Sequence, residues 1–163
     1  MSPRQADPQV RAALVETAAR LLAEGGADLL TLRRLTKGVG TSTMAVYTHF
    51  GSMDDLRAEV AREGFDRLRR RLRTVEPSDD PVADLVRLGA AYLDNAVEHP
   101  SLYQAIFGLG AATPGAAGVA GVGYDTFLIL VDGVQRCIDA GRFHPADPLL
   151  LATQVWAGVH GAV

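Results

Sequence analysis

The chain has 163 residues, of which 48% are hydrophobic and 21% are charged, as in an ordinary folded globular protein. It contains no uninterrupted apolar run of about 18 residues, and its N-terminus, MSPRQADPQV, has no apolar signal core, so we expect a cytoplasmic protein without a membrane span. The charge is uneven, because residues 1–75 hold 13 basic and 9 acidic side chains whereas residues 76–163 hold 3 and 10, which favours a polyanion as the partner of the N-terminal part.

Apolar residues recur at helical spacing along the whole chain, and no segment shows the two-residue alternation of a half-buried strand. We therefore predict an all-α fold. The first predicted helix carries Val10, Leu14, Leu21 and Leu22 on one side, and it ends at Gly25-Gly26.

Two short helices are predicted next. Thr31 is placed to cap the second helix, and the glycine-containing segment 38–40 separates it from the third. The third helix is capped by Thr41 or Ser42 and ends near Gly51. Two short helices joined by a tight turn have the form of a helix-turn-helix.

Five further helices are predicted in the remainder of the chain. Asp80 and Asp147, each followed by proline, are the expected N-caps of the fifth and eighth helices. The Gly- and Ala-rich segment 110–123 is predicted to be a loop before the seventh helix.

The third helix has two contrasting faces. Val46 and Phe50 point toward the neighbouring helices. The opposite face is uncharged and rich in hydroxyl groups, and it carries Thr43, Met44, Tyr47 and Thr48. Hydroxyls suit phosphate oxygens and base edges, and methyl groups suit thymine methyls, in the major groove of DNA. The pattern therefore predicts a DNA-binding unit.

The order TLRRLTKGVGTSTMAVYTHFGSMDDL resembles the TetR-type repressors, and the similarity covers residues 8–60. The matching positions are Leu35-Thr36, Gly40, Ser42, Val46-Tyr47, His49-Phe50 and Leu56. Three positions differ from the family pattern. Val39 and Thr41 replace the usual alanine and valine around the turn, and Met53 stands where the family often has a phosphate-binding lysine.

The resemblance implies a set of DNA-binding residues: Thr31, Arg33, Ser42, Thr43, Met44, Tyr47, Thr48 and His49. By this resemblance Tyr47 and His49 bond backbone phosphates, and Thr31 contacts a phosphate at the start of the second helix. Arg33 reaches a guanine, which fits the fork geometry of arginine. The remaining threonines and the methionine approach base edges.

Other interpretations of these residues stay open. Tyr47 packs beside the first helix in one alternative. His49 is a structural hydrogen-bond donor to a backbone carbonyl in another. Arg33 and its neighbour Arg34 are then ordinary solvated charges.

The second half of the chain resembles the C-terminal domain of TetR-type proteins, which encloses a small-molecule pocket and supplies the dimer interface. WAGVHG at 156–161 resembles a Trp-Ala-x-x-His-Gly signature of one subfamily, and HPSLYQAIFG at 99–108 is similar to its segment. The expected effector-binding residues are the aromatic side chains of four helices with one histidine: Tyr92, Tyr103, Phe107, Tyr124, Phe127, Trp156 and His160. The alternative for each aromatic residue is a place in the core.

No enzyme motif is present. The four histidines, at positions 49, 99, 144 and 160, lack metal-ligand spacing, and there is no GxSxG or phosphate-binding loop. We therefore expect no catalytic residue, no metal and no cofactor. The single cysteine, Cys137, is expected to be a small buried apolar side chain.

We predict that residues 1–52 form a helix-turn-helix DNA-binding domain and that residues 53–163 form a helical effector-binding and dimerisation domain. The protein would be a repressor that binds a palindromic double-stranded DNA operator as a homodimer and is released by a small molecule. The alternative is a helical small-molecule-binding protein or enzyme that retains a non-functional helix-turn-helix. The eighth helix is apolar nearly all round and shows no C-cap, so we expect the dimer bundle to include it and a helix beyond Val163.

Overall fold

The computed structural model describes residues 7–107 and 117–162. These residues form eight helices and no strand, in the order α1 (Pro8–Leu29), α2 (Leu32–Val39), α3 (Thr43–Phe50), α4 (Met53–Leu72), α5 (Pro81–Glu98), α6 (Pro100–Phe107), α7 (Ala117–Asp139) and α8 (Pro148–His160). The predicted all-α fold is confirmed. Within the described ranges, no helix is both long enough and apolar enough to span a bilayer.

The predicted N-caps are confirmed at four helix starts. Thr31 and Ser42 each accept a 3.3 Å hydrogen bond from the backbone N–H three residues later, at the starts of α2 and α3. Asp80 and Asp147 cap α5 and α8 in the same way. A proline follows each aspartate, at a first-turn position where the missing N–H needs no partner.

A glycine pair interrupts the first helix, and a glycine ends the second. α1 leaves helical dihedral angles at Gly25 (φ −169°, ψ 28°) and Gly26 (φ 66°, ψ −157°), where the sequence predicts its end, and it is helical again as far as Leu29. Gly40, the C-cap of α2, has a φ of 72°, in the left-handed region that a side chain disfavours. The turn between α2 and α3 therefore requires a glycine.

Two predictions about the C-terminal half are wrong. Residues 117–123, expected in a loop, form the start of α7. Alanine is the strongest helix former, and a glycine within this turn permits close packing, since a Cβ on Gly123 would lie 3.0 Å from Cζ of Phe65. The rest of the predicted loop, 110–116, lies outside the described residues. α8 also has a C-cap, because the N–H of Gly161 donates to the carbonyls of its last turn.

The described residues fall into two compact units. One is drawn from Met1–Gly64 and Pro100–Val119, and the other from Phe65–His99 and Ala120–Val163. Helix α6 therefore belongs to the same unit as α1, α2 and α3, although α5 precedes it in the chain. The predicted division into domains at residues 52 and 53 stays a prediction.

The core of the first unit contains apolar side chains from α1, α2, α3, α4 and α6. Its buried members are Leu14, Val15, Ala18, Ala19, Leu21, Leu30, Leu35, Val46, Leu56, Val60 and Leu102. α4 and α6 approach closely at Gly64, where a Cβ would lie 2.8 Å from Cγ2 of Ile106. Burying a side chain of leucine size stabilises the fold by about 1.5–3 kcal/mol, so this core, more than helix propensity, holds the short α2 and α3 in place.

In the second unit α5 packs against α7. The contact is close because a Cβ on Gly133 would lie only 3.2 Å from Leu88 and 3.3 Å from Leu85. Val134 and Cys137 are fully buried on the same helix. The expectation for Cys137 is confirmed, and burial raises the pKa of its thiol, which favours the neutral form.

A buried carboxylate joins α5, α7 and the segment before α5. Asp84 is 2% exposed, and it accepts hydrogen bonds from the Ser78 hydroxyl (2.6 Å) and the Ser78 N–H (2.9 Å). Arg136 donates to the same carboxylate and to the Ser78 carbonyl, both at 2.7 Å, and Arg87 also pairs with Asp84. The Ser78 hydrogen bonds and the two arginines hold the pKa of the Asp84 carboxyl well below its ordinary value.

Candidate functional site

Helices α2 and α3 are anchored by the side chains on their inner faces. Leu35 on α2 and Val46 on α3 are fully buried in the core of the first unit. In the turn between the helices, the N–H groups of Gly40 and Thr41 donate to the Thr36 carbonyl at 2.9 and 3.0 Å. Apolar contacts and turn geometry together therefore fix how α3 is presented.

The outer face of α3 is exposed, as predicted. Thr43 and Thr48 are exposed. Met44 and Tyr47 are exposed to 71% and 48% of their surface. The Thr48 hydroxyl donates to the Met44 carbonyl at 2.8 Å, so Thr48 presents a methyl group and oxygen lone pairs to a partner. With no acidic side chain on this helix, its face suits a polyanion groove without charge repulsion.

The start of α2 carries Thr31 with the exposed residues Arg33 and Arg34. The Thr31 hydroxyl oxygen accepts a hydrogen bond from the Arg34 N–H, so Thr31 is the N-cap of α2. Ser42 has the same role on α3. A helix N-terminus attracts an anion through its unpaired N–H groups and its dipole. Both capping residues therefore lie where a phosphate would be favoured.

The end of α3 is held by a contact that sequence patterns do not indicate. His49 is partly buried, and its ring centroid lies 6.0 Å from that of Phe50. The guanidinium of Arg11, from α1, lies 5.2 Å from the centroid of the Phe50 ring. Arg11 was not in the predicted set, because no motif links it to α3.

Three of the predicted effector-binding residues lie together in the second unit. Tyr92 on α5 is buried, and its hydroxyl is 2.8 Å from Nδ1 of His160 on α8. The Trp156 ring stacks on the His160 ring, with centroids 4.7 Å apart and planes 19° apart. An aromatic surface with a phenol and an imidazole can hold an apolar molecule and hydrogen-bond a polar group on it.

The other four predicted effector residues are on α6 and α7. Tyr103 and Phe107 on α6 belong to the first unit, with ring centroids 5.0 Å apart. On α7, Tyr124 is 53% exposed and Phe127 is half-buried. Among the described residues, no group of three His, Cys, Asp or Glu side chains is arranged to hold a metal ion.

Two family models match the chain. The model described as bacterial regulatory proteins, tetR family, matches residues 14–60. The model described as tetracyclin repressor-like, C-terminal domain, matches residues 85–163. The first match includes the helix-turn-helix, and the second includes the cluster of Tyr92, Trp156 and His160.

Individual proteins are similar as well. YobS of Bacillus subtilis, an uncharacterised helix-turn-helix transcriptional regulator, is 28% identical over 105 residues, which are 64% of this chain and 54% of that protein. The chain thus spans about half the length of this curated relative. A structure of a protein of unknown function from Rhodococcus sp. RHA1 has a TM-score of 0.78 at 28% identity, covering 98% of this chain and 84% of that one. The TetR-family transcriptional regulator PfmR of Thermus thermophilus has a TM-score of 0.80 at 22% identity, covering 92% and 82%, and so shares the fold.

Proposed function

Because the chain belongs to the TetR family of DNA-binding transcriptional regulators, we propose that it is a repressor that a small molecule releases from a palindromic operator. TetR-family regulators bind DNA operators and small-molecule effectors. The finer assignment, to the Trp-Ala-x-x-His-Gly subfamily, belongs to the same proposal and rests on the stacked pair of Trp156 and His160.

The observation that carries this proposal is the contrast between the two faces of α3. Its outer face is exposed and uncharged, and its inner face is buried. Val46 is fully buried in the core, and it anchors α3, while Met44 and Tyr47 are exposed and free to enter a groove. Hydroxyl, methyl and thioether groups of this kind contact phosphates and base edges. Residues Thr43 and Thr48 complete this recognition surface.

Release follows from a change in dimer geometry. Two helix-turn-helix units must engage half-sites about 34–36 Å apart, which requires a two-fold homodimer. Leu149 (43% exposed) and Leu150 (60% exposed) are adjacent on α8 and support such a dimer, since neighbouring exposed apolar side chains form the kind of patch that marks protein–protein interfaces. The effector would bind more tightly to the conformer whose two α3 helices have the wrong separation, which lowers operator affinity.

The test is selection of DNA from a random pool by the purified protein, followed by sequencing of the bound duplexes. We expect an inverted repeat whose half-sites are one helical turn apart. A protein that retains no sequence above background would contradict operator binding. That outcome would favour the alternative in which the helix-turn-helix is non-functional.

We predict that Arg33→Ala weakens binding to the selected operator by about 1–3 kcal/mol and relaxes the preference at one base pair of each half-site. The reason is that an arginine fork pairs with the O6 and N7 of a guanine. Fluorescence anisotropy with single-base variants of the operator measures both effects.

Arg34→Ala is the matched control, because it removes the same exposed charge from the next position of α2. We expect it to leave the base preference unchanged. Tyr47→Phe should weaken operator and nonspecific DNA alike, as loss of a phosphate contact does. An unchanged operator affinity in Arg33→Ala would mean that the start of α2 lies away from the groove.

We predict that an effector changes the emission of Trp156, the single tryptophan of the chain. Trp156 stacks on His160 at 4.7 Å, so a molecule that enters this cluster alters the surroundings of the indole. Apolar small molecules that release the labelled operator would be titrated while fluorescence is recorded. Tyr92→Phe, which removes the hydroxyl bonded to His160, should weaken effector binding. Release with unchanged emission would place the effector elsewhere.

A further inference from the structure

One arginine of α1 contacts two other helices of the first unit. The guanidinium of Arg11 lies 5.2 Å from the centroid of the Phe50 ring, at the end of α3. Its Nη2 also lies 2.7 Å from Oε1 of Glu59, on α4. A single side chain therefore connects α1 with the end of the recognition helix and with the helix that follows it.

The surroundings of this contact make it stronger than an ordinary surface pair. The Glu59 side chain is only 16% exposed, and Arg62 pairs with it from the next turn of α4. The Arg11 side chain is 44% exposed, and Phe50 is partly buried against the core. Cation–π and ionic contacts gain strength as water is removed from them.

Phe50 is well placed to transmit this restraint. It is the last residue of α3, and Gly51 follows it with a φ of 81°. Its ring is next to that of His49, for which a phosphate contact is predicted. Fixing the Phe50 ring therefore fixes both the end of α3 and the direction from which the His49 ring approaches DNA.

We propose that Arg11 is a positioning residue for operator recognition, which holds α3 at its DNA-reading angle through Phe50 and Glu59. The inference rests on DNA binding by α3 and adds a residue outside the helix-turn-helix. Recognition of bases depends on where α3 lies in the groove, whereas nonspecific attraction to phosphates does not. Arg11 therefore matters mainly for the difference between operator and other DNA.

The competing role for an N-terminal arginine is a direct contact with a phosphate. The two roles predict opposite effects of Glu59→Gln. If Arg11 positions α3, loss of the Glu59 charge releases it and weakens operator binding. If Arg11 binds phosphate, removal of a nearby carboxylate frees the arginine, reduces repulsion and strengthens binding to any DNA.

The test uses the full chain, the operator selected by the wild-type protein and a nonspecific duplex of equal length, at several salt concentrations. We expect Arg11→Met to weaken operator binding about tenfold, the combined loss of one such contact from each of two protomers. Nonspecific binding should change by less than about twofold, and the salt dependence of operator binding should keep its slope. Glu59→Gln should also weaken operator binding, and Arg11→Lys should restore most of the affinity, since lysine keeps the charge near the ring.

Arg20→Met is the matched control. It removes one positive charge from the same helix and breaks a comparable ion pair, with Glu24 at 3.0 Å, whose two side chains are about half exposed. We expect operator and nonspecific DNA to respond equally to this change. Thermal unfolding of every variant identifies any that fail to fold, and Glu59→Gln then tests the proposal by itself.

Equal losses on both DNAs in Arg11→Met, with a salt slope reduced by about one per half-site, would overturn the proposal in favour of a phosphate contact. Stronger binding in Glu59→Gln would overturn it too. A wild-type protein that selects no operator contradicts repressor function instead, so the two failures are distinguishable.

Discussion

Leu35→Ala is expected to lower the free energy of unfolding by about 2–5 kcal/mol, the range for removing a buried leucine side chain from a packed core. Leu35 is fully buried, and it is the anchor of α2 in the core of the first unit. The cavity would lie directly beneath the helix that orients α3, so operator affinity should fall together with stability. Denaturant unfolding followed by circular dichroism measures the first effect, and fluorescence anisotropy measures the second.

Met44→Ala is the control for this prediction. It also truncates a large apolar side chain in the helix-turn-helix, but Met44 is 71% exposed. The free energy of unfolding should change by no more than about 0.5 kcal/mol, as for ordinary surface substitutions, while operator affinity falls. Equal destabilisation by the two substitutions would mean that the inner and outer faces of these helices are assigned incorrectly.

Asp84→Asn is expected to lower the midpoint of thermal unfolding by several degrees at pH 7. An amide places a hydrogen-bond donor where the carboxylate now accepts from Ser78 and Arg136. It also leaves the guanidinium of Arg136 beside a buried neutral amide in place of the carboxylate that balanced its charge. Differential scanning calorimetry of the two proteins under identical conditions measures the shift.

The effect of Asp84→Asn should depend on pH in a defined direction. The hydrogen bonds from Ser78, followed by the hydrogen bond from Arg136 and the charge of Arg87, outweigh the effect of burial and hold the folded-state pKa of Asp84 below its unfolded value. Such a group stabilises the fold fully above its unfolded pKa, about 3.9, and this stabilisation is lost as the pH falls toward the folded pKa. The difference in midpoint between wild type and variant should therefore be constant near neutral pH and decrease below about pH 4.

Asp94→Asn provides the matched comparison on the same helix. Asp94 pairs with Arg71 at 2.7 Å, but both side chains are substantially exposed, 57% and 37%. Surface ion pairs of this kind are screened by water and contribute little, so the midpoint should hardly change. A loss equal to that of Asp84→Asn would show that burial of the carboxylate is not the cause.

The sequence was informative wherever the cause of a structure is local. The N-caps at Thr31, Ser42 and Asp80 depend on a side chain and the backbone three residues away. The two faces of α3 follow from helical periodicity alone. These features were predicted correctly for that reason.

Other features depend on residues that are distant in the chain, and they were missed. The carboxylate of Asp84 and its partner Arg136 are 52 residues apart, and no pattern relates them. The contact of Arg11 with Phe50 depends on how α1 crosses α3. The start of α7 was also misjudged, because a glycine favours a loop unless a close neighbour, here Phe65 at Gly123, uses the space.

The place of α6 in the first unit has a consequence for protein engineering and for evolution by recombination. Leu102 is 2% exposed in the core that supports α2 and α3. Ile106, also on α6, packs directly against Gly64 of α4. A fragment cut after the helix-turn-helix, or a chimera joined there, would replace or remove these side chains and leave their partners facing water. A chimera that takes its DNA-binding helices from a relative is therefore expected to keep α3 supported when α6 is taken from the same relative. The unit to exchange then consists of two separate segments of the chain.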